Sequence, residues 1–344
     1  MAWWQTGAML PLNETNTAAH DVWNRWWHNE TDTNDWLPIT KHIERCQSMC
    51  KEFMHVYSQF KMTDEFRRYD ELAIDTFAEI EQVGLRIDTD IFKEKFQTNG
   101  IHDNKVYTEY NLYTTTGRPS NKFGGINYAA LNKDDGSREA FQSRFEDGFL
   151  LEYDYDAFHV RLIADLIKYQ LPYESVHTYF GRQYFNKPEL SDDEYEQSKQ
   201  ITFRLLYGGI DKEFLEIPFF QKVNDFVYKL WSQCKQKKYI ETPVLKRKIY
   251  KDSITNITAN KLFNYYLQAT ETEISTVKLQ RVLEYLRDKE SKLILYTYDS
   301  VLLDVNYSEA KQCLPDIINI MQQGNFPVKC KVGDIYSKMN SITL

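Results

Sequence analysis

Two segments each carry an aspartate to the end of an apolar strand: Leu150-Leu151-Glu152-Tyr153-Asp154-Tyr155 and Ile294-Leu295-Tyr296-Thr297-Tyr298-Asp299-Ser300-Val301-Leu302-Leu303. A carboxylate in such a place is costly to desolvate unless it is paired or binds a cation. On neighbouring strands, Asp154 and Asp299 would hold a pair of Mg²⁺ ions, which take oxygen ligands and substrate phosphates. Two such ions, ~3.5–4 Å apart, activate an attacking oxygen and steady a leaving one in phosphoryl transfer. Strand-end acids also serve as turn formers, so the pair by itself leaves both readings open. A second arrangement has the same leaning. Lys199, Phe203 and Tyr207 lie four apart, so one helical face presents a cation and two rings. The cation suits phosphate charge, while the same spacing also fits an amphipathic helix that buries Phe203, Leu206 and Tyr207.

The elements that must position these residues follow from periodicity. Helical patterns run over 38–60 and 63–83, the second stopping at Gly84. Residues 100–137 are rich in Gly, Asn, Thr and Ser and read as turns and short strands. Helices dominate from about 157 to 236, a basic β-rich stretch covers 239–250, and a long helix spans 260–288. The end reads as a hairpin (293–298 and 301–305), a helix near 308–323 and a last strand at 328–332. Strands bracketing a helical insertion indicate an α+β fold.

Composition bounds the classes. The 344 residues, 42% hydrophobic and 27% charged, suit a soluble globular protein of two or three packed units. A net charge of −8 is unusual for a chain that grips nucleic acid. The run from Lys235 to Lys251, whose only acid is Glu241, nevertheless suits a local phosphate track or a solvated face. The five cysteines have neither zinc-ligand nor disulfide spacing, which fits a reducing cytosol. The start lacks the features of a signal peptide, and no apolar run reaches ~20 residues, so no membrane span and a cytoplasmic location (of a bacterial host, if viral) are expected. Six of the seven tryptophans fall before residue 37, either as an arm packed on its own domain or as a docking surface.

The order of further motifs is more specific. Asp154-Tyr155-Asp156-Ala157-Phe158-His159-Val160-Arg161-Leu162-Ile163-Ala164 resembles D-Y-S-Q-I-E-L-R-x-x-A, the first palm motif of the family A DNA polymerases. The stretch from Lys199 to Gly208 resembles that family's fingers motif, K-x-x-x-F-x-x-x-Y-G, and Tyr298-Asp299-Ser300 takes the place of its H-D-E. Thr116-Gly117-Arg118-Pro119-Ser120 is similar to T-G-R-x-S, Arg138-Glu139-Ala140-Phe141 to R-x-A-F, and Asn264 to Gln268 to N-x-x-x-Q. The resemblance runs from about residue 79 to the C-terminus. It implies a right-hand polymerase fold with an antiparallel palm sheet, helical fingers and a much reduced thumb. The expected division is a Trp-rich arm and helix at 1–60, thumb at 61–111, palm at 112–169 and 253–344, and fingers at 170–252. It also implies a template-directed DNA polymerase acting on primed DNA and dNTPs with two Mg²⁺ ions. Asp154, Asp299 and Lys199 would be catalytic, with Tyr155 joining the two acids as a metal ligand. Arg138, His159, His177, Lys199, Phe203 and Tyr207 would bind the nucleotide, and Arg118, Asn264 and Gln268 would probe the minor-groove edge of primer and template, which tests geometry rather than sequence.

Four departures from the family carry their own expectations. His159 replaces the Glu that excludes a ribose 2′-hydroxyl, so sugar discrimination should survive but weaken. Ser300 replaces the acid after the catalytic Asp, as in the phage-type single-subunit RNA polymerases. An NTP-using RNA polymerase or primase-like enzyme is therefore the alternative, with Phe203 arguing against it. Tyr195 stands where the fingers motif has an Arg, so one phosphate contact is expected to be lost or moved to Lys187 or Arg204. The thumb is short, since Thr116 follows soon after the I-E-x-x-G-x-x-x-D-like element ending at Asp88, so a weak grip on DNA is expected. No 3′–5′ exonuclease is recognisable, and the first 60 residues are expected to be a remnant linker or a segment that docks a separate exonuclease or processivity subunit. A catalytically inactive accessory subunit of the same shape is the reading from outside the enzymes.

Overall fold

The computed structural model describes residues 66–344 except 97–99, 113, 122–125, 133, 173, 325 and 343–344, with single helical positions scattered between 43 and 64. The expectations placed on the tryptophan-rich arm and on the 38–60 helix lie outside the described residues.

Chain order builds the frame for a central sheet. Helix α1 (Glu71–Val83) buries Ala73, Phe77 and Ile80 and stops at Gly84, whose φ of 68° is open to glycine at little cost. Strand β1 (Leu85–Arg86), helix α2 (Thr89–Lys95) and β2 (Lys105–Val106) follow. Asp88 caps α2 by accepting from the backbone N–H groups of Asp90 and Ile91 at 3.0 and 3.1 Å. β3 (Tyr110–Asn111) and β4 (Ser120–Asn121) pair with each other ahead of the long strand β5 (Gly148–Tyr155).

Four helices follow β5 directly: α3 (Phe158–Leu166), α4 (Val176–Phe185), α5 (Asp192–Gly208) and α6 (Pro218–Lys237). A hairpin of β6 (Tyr239–Glu241) and β7 (Lys248–Tyr250) leads to α7 (Ala259–Leu286), and β8 (Lys292–Thr297), β9 (Ser300–Asn306), α8 (Tyr307–Met321), β10 (Val328–Gly333) and β11 (Asn340–Ile342) complete the fold. The five-stranded sheet has the order β11-β10-β5-β9-β8 and is antiparallel throughout. The α+β reading and its antiparallel sheet therefore hold.

Alternation along β5 decides where its acid points. Leu151, Tyr153 and Tyr155 enter the main core, while Leu150 joins a second apolar cluster with Phe92, Phe141 and Leu302. Glu152 and Asp154 share the parity of Leu150, so Asp154 lies on that second face, at the strand's end.

Helix α7 is the central post, packed by α1, α3, α5, α6, α8 and β8. Enclosed on so many sides, it buries Thr270, Thr272 and Thr276, each of which donates to the carbonyl four residues back at 2.7–2.8 Å. It also buries Glu271, Glu273 and Lys278. Glu273 holds the β6–β7 loop, accepting from the Thr242 hydroxyl at 2.6 Å and the Leu245 N–H at 2.9 Å. The basic run thus divides. Arg247 is buried over the Tyr69 ring and donates to the Thr115 carbonyl, whereas Lys235, Lys237, Lys238 and Lys246 are exposed.

Candidate active site

The β8–β9 hairpin pairs Thr297 with Ser300, which leaves Tyr298 and Asp299 as its two-residue turn. Tyr298 has φ 65°, a left-handed conformation that costs a non-glycine residue about 1–2 kcal/mol. Its ring is held beneath the Arg118 guanidinium, 3.8 Å from the centroid. Across the sheet Asp154 pairs with Ser300, and the Tyr155 N–H donates to the Asp299 carbonyl at 3.1 Å. Asp154 and Asp299 are therefore neighbours at one end of the sheet, and both line a cleft of about 720 Å³.

Their electrostatics fit a cation site. Burial, then Asp299 and Glu152, pushes the Asp154 carboxyl up to about 6 against the pull of Lys331 and Lys329. Asp299 is raised too, by burial and then by Glu271. Two half-dry carboxylates that repel each other are the donor set a divalent cation relieves. Among the described residues no group of three or more His, Cys, Asp or Glu side chains could hold a metal, so further ligands would come from phosphate, water or main chain. The Tyr155 hydroxyl donates to the Met321 carbonyl at 3.1 Å and its ring stacks on Phe158. Any role of Tyr155 toward a metal falls to its main chain.

This repulsion has a pH-dependent consequence in the metal-free protein. Because Asp154 holds its proton more tightly when folded, stability falls as pH rises from about 4 through about 6. Asp154→Asn removes the repulsion. It should stabilise the metal-free protein at pH 8 by on the order of 1 kcal/mol, after allowing for solvent screening of a partly exposed group. The gain should vanish at pH 4. Thermal melts in chelator at the two pH values measure it, and equal gains at both would contradict the assignment of cause.

Helix α5 opens on a capping box in which the Ser191 hydroxyl accepts from the Glu194 N–H and the Glu194 carboxylate accepts from the Ser191 N–H. The helix turns Lys199, Phe203 and Tyr207 toward the same cleft. The two rings lie nearly parallel, 8° apart with centroids at 6.0 Å. Lys199 is half exposed, and Glu196, one turn back, is 3.8 Å from its ammonium. His177 on α4 faces this helix, its carbonyl accepting from the Ser198 hydroxyl at 2.5 Å. Burial and then the Lys199 charge hold the imidazole down at about 4, so it is neutral at pH 7.

The other expected residues divide. Arg118, His159, Asn264 and Gln268 line the cleft with the acids. Arg138 is not among the lining residues: its guanidinium stacks on Tyr336 at 4.6 Å and donates to the Leu131 carbonyl. Lys187 and Arg204, expected to replace the missing fingers Arg, are instead engaged by Glu194 and Asp211 and lie outside the lining.

Sequence reasoning missed Glu271, Lys329 and Asp156. Glu271 follows Gln268 by three residues, on the helix face that already carries Asn264, and that spacing was the available signal. It is 1% exposed and receives Arg118 at 3.3 Å and His159 at 2.9 Å. Lys329 is the register partner of Asp154 on β10 and sits 2.6 Å from the Asp156 carboxylate. It is the cation that occupies this part of the cleft. Three buried polar atoms without a protein partner belong to cleft residues, namely Arg118 Nε, His177 Nδ1 and Asn264 Oδ1. Buried groups are normally satisfied, and a polar ligand in the cleft would supply partners for these three.

No protein-family model matches the sequence, and no curated protein matches it. Among solved structures the chain is similar to the POL domain of Pol1 from M. smegmatis in complex with DNA primer-template and dNTP, with a TM-score of 0.58 and 20% identity. This chain has a polymerase fold. The match covers 70% of it and 50% of the other, so the chain spans about half the length of that neighbour. In the polymerase fold seen here, the end of the antiparallel sheet and α5 face each other across the cleft.

Proposed function

We propose that the chain is a template-directed DNA polymerase, a reduced relative of family A that adds dNTPs to a primer 3′ end. The observation that carries this reading is the convergence of Asp154 and Asp299, opposite the Lys199–Phe203–Tyr207 face, in one cleft. In this reading residues 112–169 and 253–344 form the palm, 170–252 the fingers and 61–111 a reduced thumb. Asp154 and Asp299 would hold two Mg²⁺ ions, which when bound lower the pKa of the primer hydroxyl and neutralise charge on the departing pyrophosphate.

The chain's own residues account for the rest. Lys199 supplies positive charge at the phosphate end and, with His177 neutral, is the candidate donor to the leaving group. His177 offers its unpartnered Nδ1 to a phosphate oxygen. Lys329 adds a second cation beside Asp156. Phe203 and Tyr207 form a flat stack for the base. Arg118, Asn264 and Gln268 reach the groove edge of the nascent pair, with Asn264 anchored to the Tyr207 carbonyl at 3.0 Å. An inactive scaffold would have no reason to hold two repelling carboxylates, a neutral buried histidine and a half-exposed lysine in one cleft.

Magnesium-dependent extension of a primed DNA template, with dNTPs and NTPs in parallel, tests the reading. Extension with dNTPs is expected, and no extension with either would overturn it. A reduced thumb makes few phosphate contacts, so the isolated chain should add short tracts per binding event and lose affinity steeply with salt. A primer-extension assay with a trap for released enzyme measures this, and long products under the trap would contradict it. A separate exonuclease or processivity subunit would then supply the missing grip.

A further inference from the structure

The wall between the phosphate end of the cleft and its ring stack is a chain of hydrogen bonds, and its anchor is the buried carboxylate missed in the sequence. The Tyr207 hydroxyl is bonded to His159 Nδ1, and His159 Nε2 lies 2.9 Å from Glu271 Oε2. Glu271 Oε1 receives Arg118 Nη2 at 3.3 Å. A carboxylate accepts only, so the His159 Nε2–H donates to Glu271, and Nδ1 is engaged by the Tyr207 hydroxyl. Four elements are tied together in this way: α5 by Tyr207, α3 by His159, α7 by Glu271 and the loop after β3 by Arg118.

A nucleotide has its sugar between phosphate and base. With phosphates at Asp154, Asp299 and Lys199 and the base on Phe203 and Tyr207, the sugar faces His159. Both nitrogens of that ring are already used within the protein. A deoxyribose edge loses nothing against such a wall. A ribose 2′-hydroxyl would be stripped of water and given no ring nitrogen in return, which disfavours it.

Resting on the polymerase reading above, we infer that Glu271 is the positioning residue for sugar selection, closing the wall by holding His159 and Arg118 in place. The selectivity then comes from His159 on α3 together with Glu271 on α7 rather than from His159 alone.

The test is the ratio of kcat/KM for dNTP over NTP in primer extension by the full chain, for the wild type, Glu271→Ala and Glu271→Gln. Glu271→Ala frees the Nε2–H of His159 and the Arg118 guanidinium, both able to meet a 2′-hydroxyl, and should lower the ratio about tenfold or more. Glu271→Gln keeps one acceptor but brings an amide N–H₂ against Arg118 or His159, so its ratio should fall between the two. A merely structural loss would lower dNTP and NTP use together and leave the ratio unmoved. An unchanged ratio in Glu271→Ala overturns the inference, and if that variant fails to fold by circular dichroism, an unchanged ratio in the isosteric Glu271→Gln does so instead. A wild type that extends with neither substrate overturns the polymerase reading itself, an outcome distinct from an unmoved ratio.

Discussion

Replacing Asp299 with Ala should abolish primer extension, with a loss of about 10³-fold or more in kcat while the fold survives. The side chain sits in a two-residue turn and is not part of the apolar core, so its removal leaves no cavity. It also relieves repulsion, because Asp154 is raised first by burial and next by Asp299. The variant is therefore expected to melt no lower than the wild type in chelator while losing activity in magnesium. Asp154→Ala should lose as much activity. Its neighbours Lys329 and Lys331 would be left with fewer negative charges to face, so any gain in stability should be smaller there. Steady-state extension with a melt at each substitution measures both arms. Robust extension by either variant would sink the assignment of these acids.

Lys199→Ala should lower kcat/KM for dNTPs by about 10²–10³-fold, the size seen when one preorganised group facing developing charge is removed. The reason lies in what surrounds it. His177 is neutral at pH 7, Lys329 is drawn to Asp156, and Lys187 and Arg204 are engaged outside the cleft. Few other cations are left to compensate. Lys199 is half exposed and paired only loosely with Glu196, so the loss should appear in activity with little change in melting temperature. Lys199→Arg, which keeps the charge but not the point geometry, should recover part of it. A tenfold loss or less for the Ala variant would mean that Lys329 and His177 carry the phosphate end without it.

The family resemblance names both His177 and Lys199 as nucleotide contacts and does not rank them as proton donors. Only burial beside the Lys199 charge makes the histidine a poor acid near neutrality.

Much of this protein is legible along the chain because its signals are local. Apolar runs at 150–155 and 293–298 mark two strands that lead to acids, and the four-residue step from Lys199 to Tyr207 marks one helical face. Gly84 marks a helix end, and the ordered motifs outline an α+β polymerase fold. Such features depend on backbone period and on residues near in sequence, which a single chain displays directly.

What only the tertiary structure decided are partnerships between distant residues. Glu271 reads as one more polar residue of a long helix until α7 is placed beside α3 and the Arg118 loop, where it becomes the acceptor for His159 and Arg118. Packing stacks Arg138 on Tyr336, outside the residues that line the cleft, and Lys329 looks like an ordinary strand lysine until register sets it opposite Asp154. Burial, pairing and charge depend on which surfaces meet, and that is settled by the packing of whole elements about α7 and β5 rather than by the period of any one of them.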